Sequence, residues 1–342
     1  MAENTKKTVY FLGAGASKDS DFKLPCMKGF FREGDFKTES YPNLSKFIKS
    51  TFSEIPLKDL NLEEVITFLE LGLDTFGTFG QHPEAYKFEA RREFGEYVNS
   101  RLKVPCCGCQ KHKKIFNTEI GGSNSQDSII TLNYDLVVDN TLHELSLKES
   151  KRNSEPLLSR MHRVVGQTLV LDGPIASIHP EDREVGHYLK LHGSVNWVYC
   201  SSNTCGNHQL FFVGSIGDES LTDAPGNLCN LCGSPLVRVI VPPTMQKTFS
   251  QFPKLGLLWS LAYRELNRAD IIVIFGVSFA LSDYYLRWLF KKAITEREKE
   301  NRPVIFDIDI DGTIPTKIKE ITGCEPKHYS TLDAYLTAQT ET

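Results

Sequence analysis

Short apolar runs that end in glycine or polar loops punctuate the chain. Thr8-Val9-Tyr10-Phe11-Leu12, Ser128-Ile129-Ile130-Thr131-Leu132 and Asp270-Ile271-Ile272-Val273-Ile274-Phe275 are rich in apolar and β-branched residues. Strands buried on both faces of a parallel sheet have this pattern. A fourth run, Val304-Ile305-Phe306-Asp307-Ile308-Asp309, starts after Pro303 and ends at Asp311-Gly312. Helical stretches separate the runs, so the chain reads as α/β. Two regions depart from the alternation. From about Asn43 to Phe116 the pattern is mostly helical, with Asn61 suited to cap a helix over Leu62 to Leu69. From about Cys200 to Cys232 it is loop-like, rich in Ser, Asn and Gly.

The 342 residues are enough for one large domain with insertions. With 40% hydrophobic and 24% charged residues the composition is that of a folded protein. A net charge of -4 argues against a broadly basic nucleic-acid binder. The longest apolar run, Ile271 to Leu281, is too short to span a bilayer, so no membrane partner is expected. Lys6 and Lys7 ahead of Val9 to Leu12 mimic the start of a signal peptide, but Lys18 and Asp19 follow too soon. We read this segment as a strand entering a loop and expect a cytosolic protein.

The 9 cysteines cluster as Cys106-Cys107-Gly108-Cys109, Cys200-x4-Cys205 and Cys229-x2-Cys232, with Cys26 and Cys324 alone. Paired clusters in such a chain favour metal binding over disulfides. Cys200, Cys205, Cys229 and Cys232 can enclose Zn²⁺ as four thiolates with no open position, which describes a structural site. His208 is an alternative ligand. Cys106 to Cys109 with His112 is a weaker candidate, or simply a set of free thiols.

Polar residues at the ends of the strand-like runs carry the candidate chemistry. Gly13-Ala14-Gly15-Ala16-Ser17 follows the first run, and glycine lets backbone amides approach a pyrophosphate closely. A tight strand-to-helix turn fits the same residues, and the third glycine of the dinucleotide fingerprint is missing. Asn133 and Asp135 follow the second run. Asn133 can hold a water or a ribose hydroxyl and Asp135 can face a developing cation, although both also suit a helix N-cap. His192 ends Tyr188-Leu189-Lys190-Leu191 with Gly193 behind it, and imidazole suits acid–base work near neutral pH. Gly276 and Ser278 follow the third run, where Ser282 or Asp283 can cap the next helix. Asp307 and Asp309 either accept ribose hydroxyls or face solvent from an edge strand.

The order of these motifs resembles the sirtuin superfamily, from Val9 to about Asp309. That resemblance implies one Rossmann-like domain over residues 1–342 that binds NAD⁺, with a helical insertion and a small zinc-binding insertion. It places Gly13, Ala14, Gly15 and Ser17 on the phosphates and ribose of NAD⁺, and Gly276 and Ser278 on the same ligand. Asn133 and Asp135 would serve the nicotinamide–ribose pocket, and His192 would be the catalytic base. The chain departs from deacylating sirtuins at three places. Asp21-Phe22-Lys23-Leu24-Pro25-Cys26-Met27-Lys28 replaces their Gly-Ile-Pro-Asp-Phe-Arg segment, Leu132 replaces a Gln, and Val241 to Lys247 replaces Phe-Gly-Glu. These features look like bacterial sirtuin-like proteins that hydrolyse NAD⁺, several of them in anti-phage defence. The implied activity is NAD⁺ glycohydrolysis, with NAD⁺-dependent deacylation or non-catalytic nucleotide sensing as alternatives. A constitutive hydrolase would deplete its own cell, so self-assembly or an activating protein is an expected partner, with the helical insertion as the contact surface.

Overall fold

A computed structural model describes residues 6–27, 29–74, 85–116, 126–148, 166–168, 186–200, 202, 205, 210–212, 228–229, 231–234, 236–241 and 253–341. Ten strands lie among them. They are β1 (Thr8–Leu12), β2 (Ser128–Thr131), β3 (Gly166–Thr168), β4 (Tyr188–Lys190), β5 (Gly193–Cys200), β6 (Leu210–Phe212), β7 (Leu236–Ile240), β8 (Ile271–Phe275), β9 (Val304–Ile308) and β10 (Lys327–Tyr329). Six form a parallel sheet in the order β10-β9-β8-β1-β2-β4. From β1 the chain builds outward through β2 and β4, then returns to the other side of β1 through β8, β9 and β10. The reversal between β1 and β8 makes a topological switch point, where the strand ends splay into a crevice. This is a Rossmann-like α/β architecture. The four runs expected to be strands are β1, β2, β8 and β9, with ends within a residue of expectation.

Helices cover the sheet. We number them α1 (Ala14–Asp19), α2 (Pro42–Thr51), α3 (Leu62–Asp74), α4 (Ala85–Arg101), α5 (Gln110–Ile115), α6 (Val137–Lys148), α7 (Pro253–Arg268), α8 (Tyr284–Thr295), α9 (Ile314–Thr322) and α10 (Leu332–Thr340). Val9, Phe11, Ile130, Ile272 and Ile274 of the sheet are fully buried against residues such as Leu258, Leu289, Phe290 and Ile318. Helices α2 to α4 have a second core of Phe30, Phe31, Leu44, Phe47, Val65, Phe94 and Tyr97. It closes on Val195 of β5 and Ile240 of β7, so the helical segment packs on the second sheet. Asn61 caps α3 as its sequence suggested, its Oδ1 accepting from the Glu63 amide at 2.9 Å.

Two features differ from the sequence reading. The short outer strands β4 and β10 were not foreseen, because three residues give no periodicity to detect and Lys190 interrupts the apolar run in β4. Strand β10 makes β9 an interior strand, and Asp307 is therefore completely buried rather than solvent-facing. The second sheet, β3-β6-β5-β7, was also missed. Its β5 and β7 pair antiparallel on either side of the cysteine-rich loop, with a register shift between Ser194 and Val198.

At the opposite end of the sheet from the crevice, Glu265 of α7 gathers polar groups from three segments. Its carboxylate receives Lys7 Nζ at 2.5 Å and Ser128 Oγ at 2.6 Å, and His187 Nδ1 lies 3.3 Å away. Burial alone would push this carboxyl up, but His187 and Lys7 overrule it and hold it at about 2. A carboxylate held below its ordinary 4.5 contributes stability that is complete above 4.5 and is lost as pH falls toward 2. Glu265→Gln should flatten that acid limb in urea melts between those pH values. At pH 7 it should cost about 3 kcal/mol, because Lys7 loses its buried partner.

Candidate functional site

The crevice is built by two interlocked loops. The Gly13 amide donates to the Phe275 carbonyl at 2.9 Å, and the Gly15 amide donates to the Gly276 carbonyl at 3.0 Å. A Cβ on Gly13 would lie 2.4 Å from Gly276 O, and one on Gly15 would lie 2.5 Å from Gly276 Cα. Gly276 itself has φ +66°, and its Cβ would meet the Ala16 amide at 2.3 Å. These glycines are therefore required for the contact of backbone with backbone, the strand-to-turn role that the sequence left open. Ser278 is exposed beside them, and its carbonyl accepts from Lys317 Nζ at 3.0 Å.

At the end of β2, Asn133 and Asp135 join Ser17 of α1 in one hydrogen-bonded chain. Asn133 Nδ2 donates to the Gly13 carbonyl and to Ser17 Oγ, both at 2.9 Å. Ser17 Oγ in turn donates to Asp135 Oδ2 at 2.7 Å. Both amide hydrogens of Asn133 are thus spent, and its Oδ1 makes no hydrogen bond among the described residues. Asp135 Oδ1 accepts from the Val137 amide at 3.0 Å, so this residue does help start α6. Burial raises the Asp135 carboxyl above its usual range, against the pull of Lys190 and Ser17. Lys190, completely buried, donates to the Asp135 carbonyl at 2.5 Å and pairs with Asp139 at 2.8 Å. The sequence reading passed over Lys190. A charge inside an apolar β-run was the available signal, since a buried ammonium demands a partner.

His192 follows β4, the strand paired with β2, so it stands beside Asn133 at the strand ends. It is buried, with the Trp259 ring stacked at 6.0 Å and 25° and the Tyr134 ring at 6.3 Å. Its carbonyl accepts from the Val241 amide at 2.9 Å, and its Nε2 lies 3.5 Å from Asp283 Oδ2. Gly193 behind it has φ +88°, and a Cβ there would lie 2.1 Å from Val239 O. The glycine is the only residue type that fits this corner.

Asp307 and Asp309 separate. Asp307 Oδ2 is bonded to His328 Nδ1 at 2.7 Å, and burial raises its carboxyl to about 6 despite that imidazole. Asp309 lies just past β9 and accepts the Asp311 amide at 2.8 Å. The structure thus gathers Gly13, Gly15, Ser17, Asn133, Asp135 and Gly276 at the switch point, while Asp307 turns to the outer strand.

The four cysteines of the loop region converge. Cys200 Sγ and Cys232 Sγ are 3.5 Å apart, Cys205 Sγ and Cys229 Sγ are 3.7 Å apart, and all four lie within 4.8 Å of one another. Tetrahedral Zn–S bonds of about 2.3 Å put sulfurs about 3.8 Å apart, so the set fits a closed zinc site. His208 and residues 242–247 lie outside the described residues. Among the described residues Cys106, Cys107, Cys109 and His112 form no comparable group. His112 is instead buried and stacked on Phe116, and burial holds its imidazole down at about 4.

No protein-family model matches the chain, and no curated protein matches it in sequence. Among solved structures, a mutant Sir2 homologue in complex with ADP-ribose is 16% identical, over 99% of this chain and 92% of that one, with a TM-score of 0.49. Sir2Tm bound to a propionylated peptide is 14% identical over 99% of this chain and 93% of that one, with a TM-score of 0.44. A Sir2–p53 peptide–NAD⁺ complex is 14% identical at the same coverages, with a TM-score of 0.43. At these identities the roles of residues have to come from the geometry of this chain.

Elemental analysis should find about one zinc per chain, because the four thiolates saturate one tetrahedral ion. Cys229→Ser should lower the melting temperature and the yield of soluble protein. A protein that melts identically after exhaustive chelation would refute the site.

Proposed function

We propose that the chain is an NAD⁺ glycohydrolase, releasing nicotinamide and ADP-ribose. The observation that carries this reading is the Gly13–Asn133–Ser17–Asp135 chain at the switch point, with His192 on the neighbouring strand end. A dinucleotide lying across the crevice would set its pyrophosphate over the start of α1 and its nicotinamide ribose toward Asn133. The amides of Gly13 and Gly15 already serve the second loop, and its backbone fills the space beside both glycines, so neither of these two donors is free for the phosphates.

Cleavage breaks the bond between ribose C1′ and the pyridinium nitrogen. The bonding pair goes to that nitrogen, and nicotinamide leaves neutral. The ribose passes through an oxocarbenium-like state, which the Asp135 carboxylate and the Asn133 Oδ1 dipole stabilise electrostatically. Asn133 Oδ1, with both its amide hydrogens fixed, accepts a hydrogen bond from the attacking water. His192 takes a proton from that water or from a ribose hydroxyl as the new C1′–O bond forms. Water supplies the hydroxyl of ADP-ribose, and one proton is released to solvent.

Purified protein should consume NAD⁺ without any peptide, and Asn133→Ala and His192→Ala should each lower the rate by about 100-fold or more. Equal rates in all three proteins would sink the assignment. Strict dependence on an acylated peptide would favour deacylation, and tight binding of ADP-ribose without turnover would favour a sensor.

The same reading carries a proposal about control, with a role in anti-phage defence as its context. Unrestrained hydrolysis would exhaust the cell's NAD⁺, so activity has to await assembly or an activating protein. NAD⁺ turnover per chain should therefore rise with protein concentration in step with mass by light scattering. Full turnover by a monomer at every concentration would overturn this part.

A further inference from the structure

Asp283 does more than cap a helix. Its Oδ1 accepts the Leu286 amide at 3.1 Å, which is the capping bond of α8. A cap needs one oxygen, and serine or asparagine at the surface would supply it. Here the residue is only 3% exposed, and its second oxygen lies 3.5 Å from His192 Nε2 in an equally buried setting. Burying a carboxylate is costly unless it is paired, and the imidazole is the group placed to pair with it.

Other described groups around His192 have partners of their own. Trp259 covers one ring face and is itself held by Nε1 donating to the Leu191 carbonyl at 3.0 Å. Tyr134 donates its hydroxyl to the Val241 carbonyl at 2.9 Å, and burial holds its phenol well above its ordinary value, so it brings no charge. Arg91 of α4 donates to the Ile240 carbonyl and pairs with Glu70. Glu63 of α3 receives Ser282 Oγ at 3.4 Å. Glu63, Asp283 and Arg91 all act electrostatically on Tyr134, and of these three Asp283 lies within ion-pairing distance of the imidazole.

We infer that Asp283 is the positioning residue of His192. Its carboxylate takes the N–H of the ring nitrogen facing it, so the other nitrogen keeps its lone pair, and it stabilises the imidazolium formed when His192 accepts a proton. Ligand-free sites commonly show such hydrogen bonds longer than the loaded state does, which suits the 3.5 Å separation. The same division of labour operates wherever a carboxylate orients a catalytic imidazole without itself taking the proton. The inference rests on the proposed proton-accepting role of His192, and its test is chosen to separate the two.

Asp283→Asn and Asp283→Ser both retain an oxygen for the Leu286 amide and remove the negative charge. With ¹⁵N-labelled histidine, the titration midpoint of His192 should fall by about one pH unit in both variants, since an opposite charge within about 4–6 Å shifts a group by 1–3 units. The acid limb of NAD⁺ consumption should move down with it, and kcat should drop about 10- to 100-fold with KM changed less than about 2-fold. A purely capping role would move neither the titration nor the acid limb. A His192 midpoint unchanged in both variants overturns the inference, whether or not the protein turns over NAD⁺. A midpoint that falls with the acid limb and kcat left as in wild type also overturns it. If the wild type consumes no NAD⁺ but the midpoint falls, the pairing stands and the failure belongs to the hydrolase reading. Should neither variant fold, the wild type decides. Above its titration His192 should carry its proton on Nε2, and a proton on Nδ1 would overturn the inference.

Discussion

An ammonium group buried beneath the second strand's loop sets the geometry of the whole crevice. Lys190 is completely inaccessible, and moving such an ion out of water costs several kcal/mol before any partner is found. Its partners are Asp139 and the Asp135 carbonyl, and Asp139 also accepts the Tyr188 hydroxyl at 2.8 Å. Because the ammonium needs all of these contacts at once, the backbone at Asp135 has little freedom. That fixes the turn from Asn133 to Asp135 and holds the Asn133 amide against Gly13 and Ser17. A chain of short hydrogen bonds then runs from the sheet interior to the first loop. Each member is oriented by the one behind it, which is the preorganisation that charge stabilisation in a transition state requires.

The first loop is braced from its other side by the loop after β8. Gly276 adopts a left-handed conformation, and three residues later Phe279 does so as well, with φ 46°. Phenylalanine in that region is strained by about 1–3 kcal/mol and persists only where packing dictates it. Phe279 is buried and meets Phe290 edge-on at 5.1 Å, so core burial offsets the strain. The result is a loop that turns sharply away from the sheet at Gly276 and comes back to deliver Asp283 at the start of α8. The two loops thus hold opposite walls of the crevice. One orients Asn133 through Gly13, and the other carries the carboxylate beside His192.

Much of this was legible in the sequence, and the rest was hidden for identifiable reasons. Strands buried on both faces must be apolar throughout, so β1, β2, β8 and β9 stand out as runs. Polar residues at the C-terminal end of β2 then draw attention to Asn133 and Asp135, and His192 stands out at the end of the apolar stretch from Tyr188 to Leu191. Lys190 did not stand out, because its meaning depends on Asp139, 51 positions away in the chain. Asp283 was recognisable as a cap and is one. Its second oxygen faces a residue brought from another strand, and no local pattern encodes that. Gly13, Gly15 and Gly276 read equally well as room for a ligand or as a turn, and the structure shows the close approach to be between two loops. Asp307 read either as a ribose-binding carboxylate or as a solvent-facing one on an edge strand, because the three-residue β10 outside it left no periodic trace.

The zinc cluster and the crevice look unrelated in sequence, but the second sheet joins them. Strand β5 starts at Gly193, directly after His192, and ends at Cys200. Seven steps of about 3.3 Å span about 23 Å, so one strand links the residue next to the imidazole with a cysteine of the cluster. Its partner β7 begins just after Cys232 and ends at Ile240, which pairs with Gly193. The ladder is therefore closed at its far end by the cysteines. At its near end it is closed by the His192 carbonyl bonded to the Val241 amide. Helix α4 lies across the strands, with Arg91 donating to the Ile240 carbonyl. Strand β7 is the edge of the second sheet, and an edge strand frays from whichever end is unpinned. Four thiolates on one ion remove that freedom at the cysteine end, and α4 with the Gly193 corner removes it at the other. On this geometry a zinc ion on the four cysteines would bear on how firmly the corner beside His192 is held, through the register of a single strand pair.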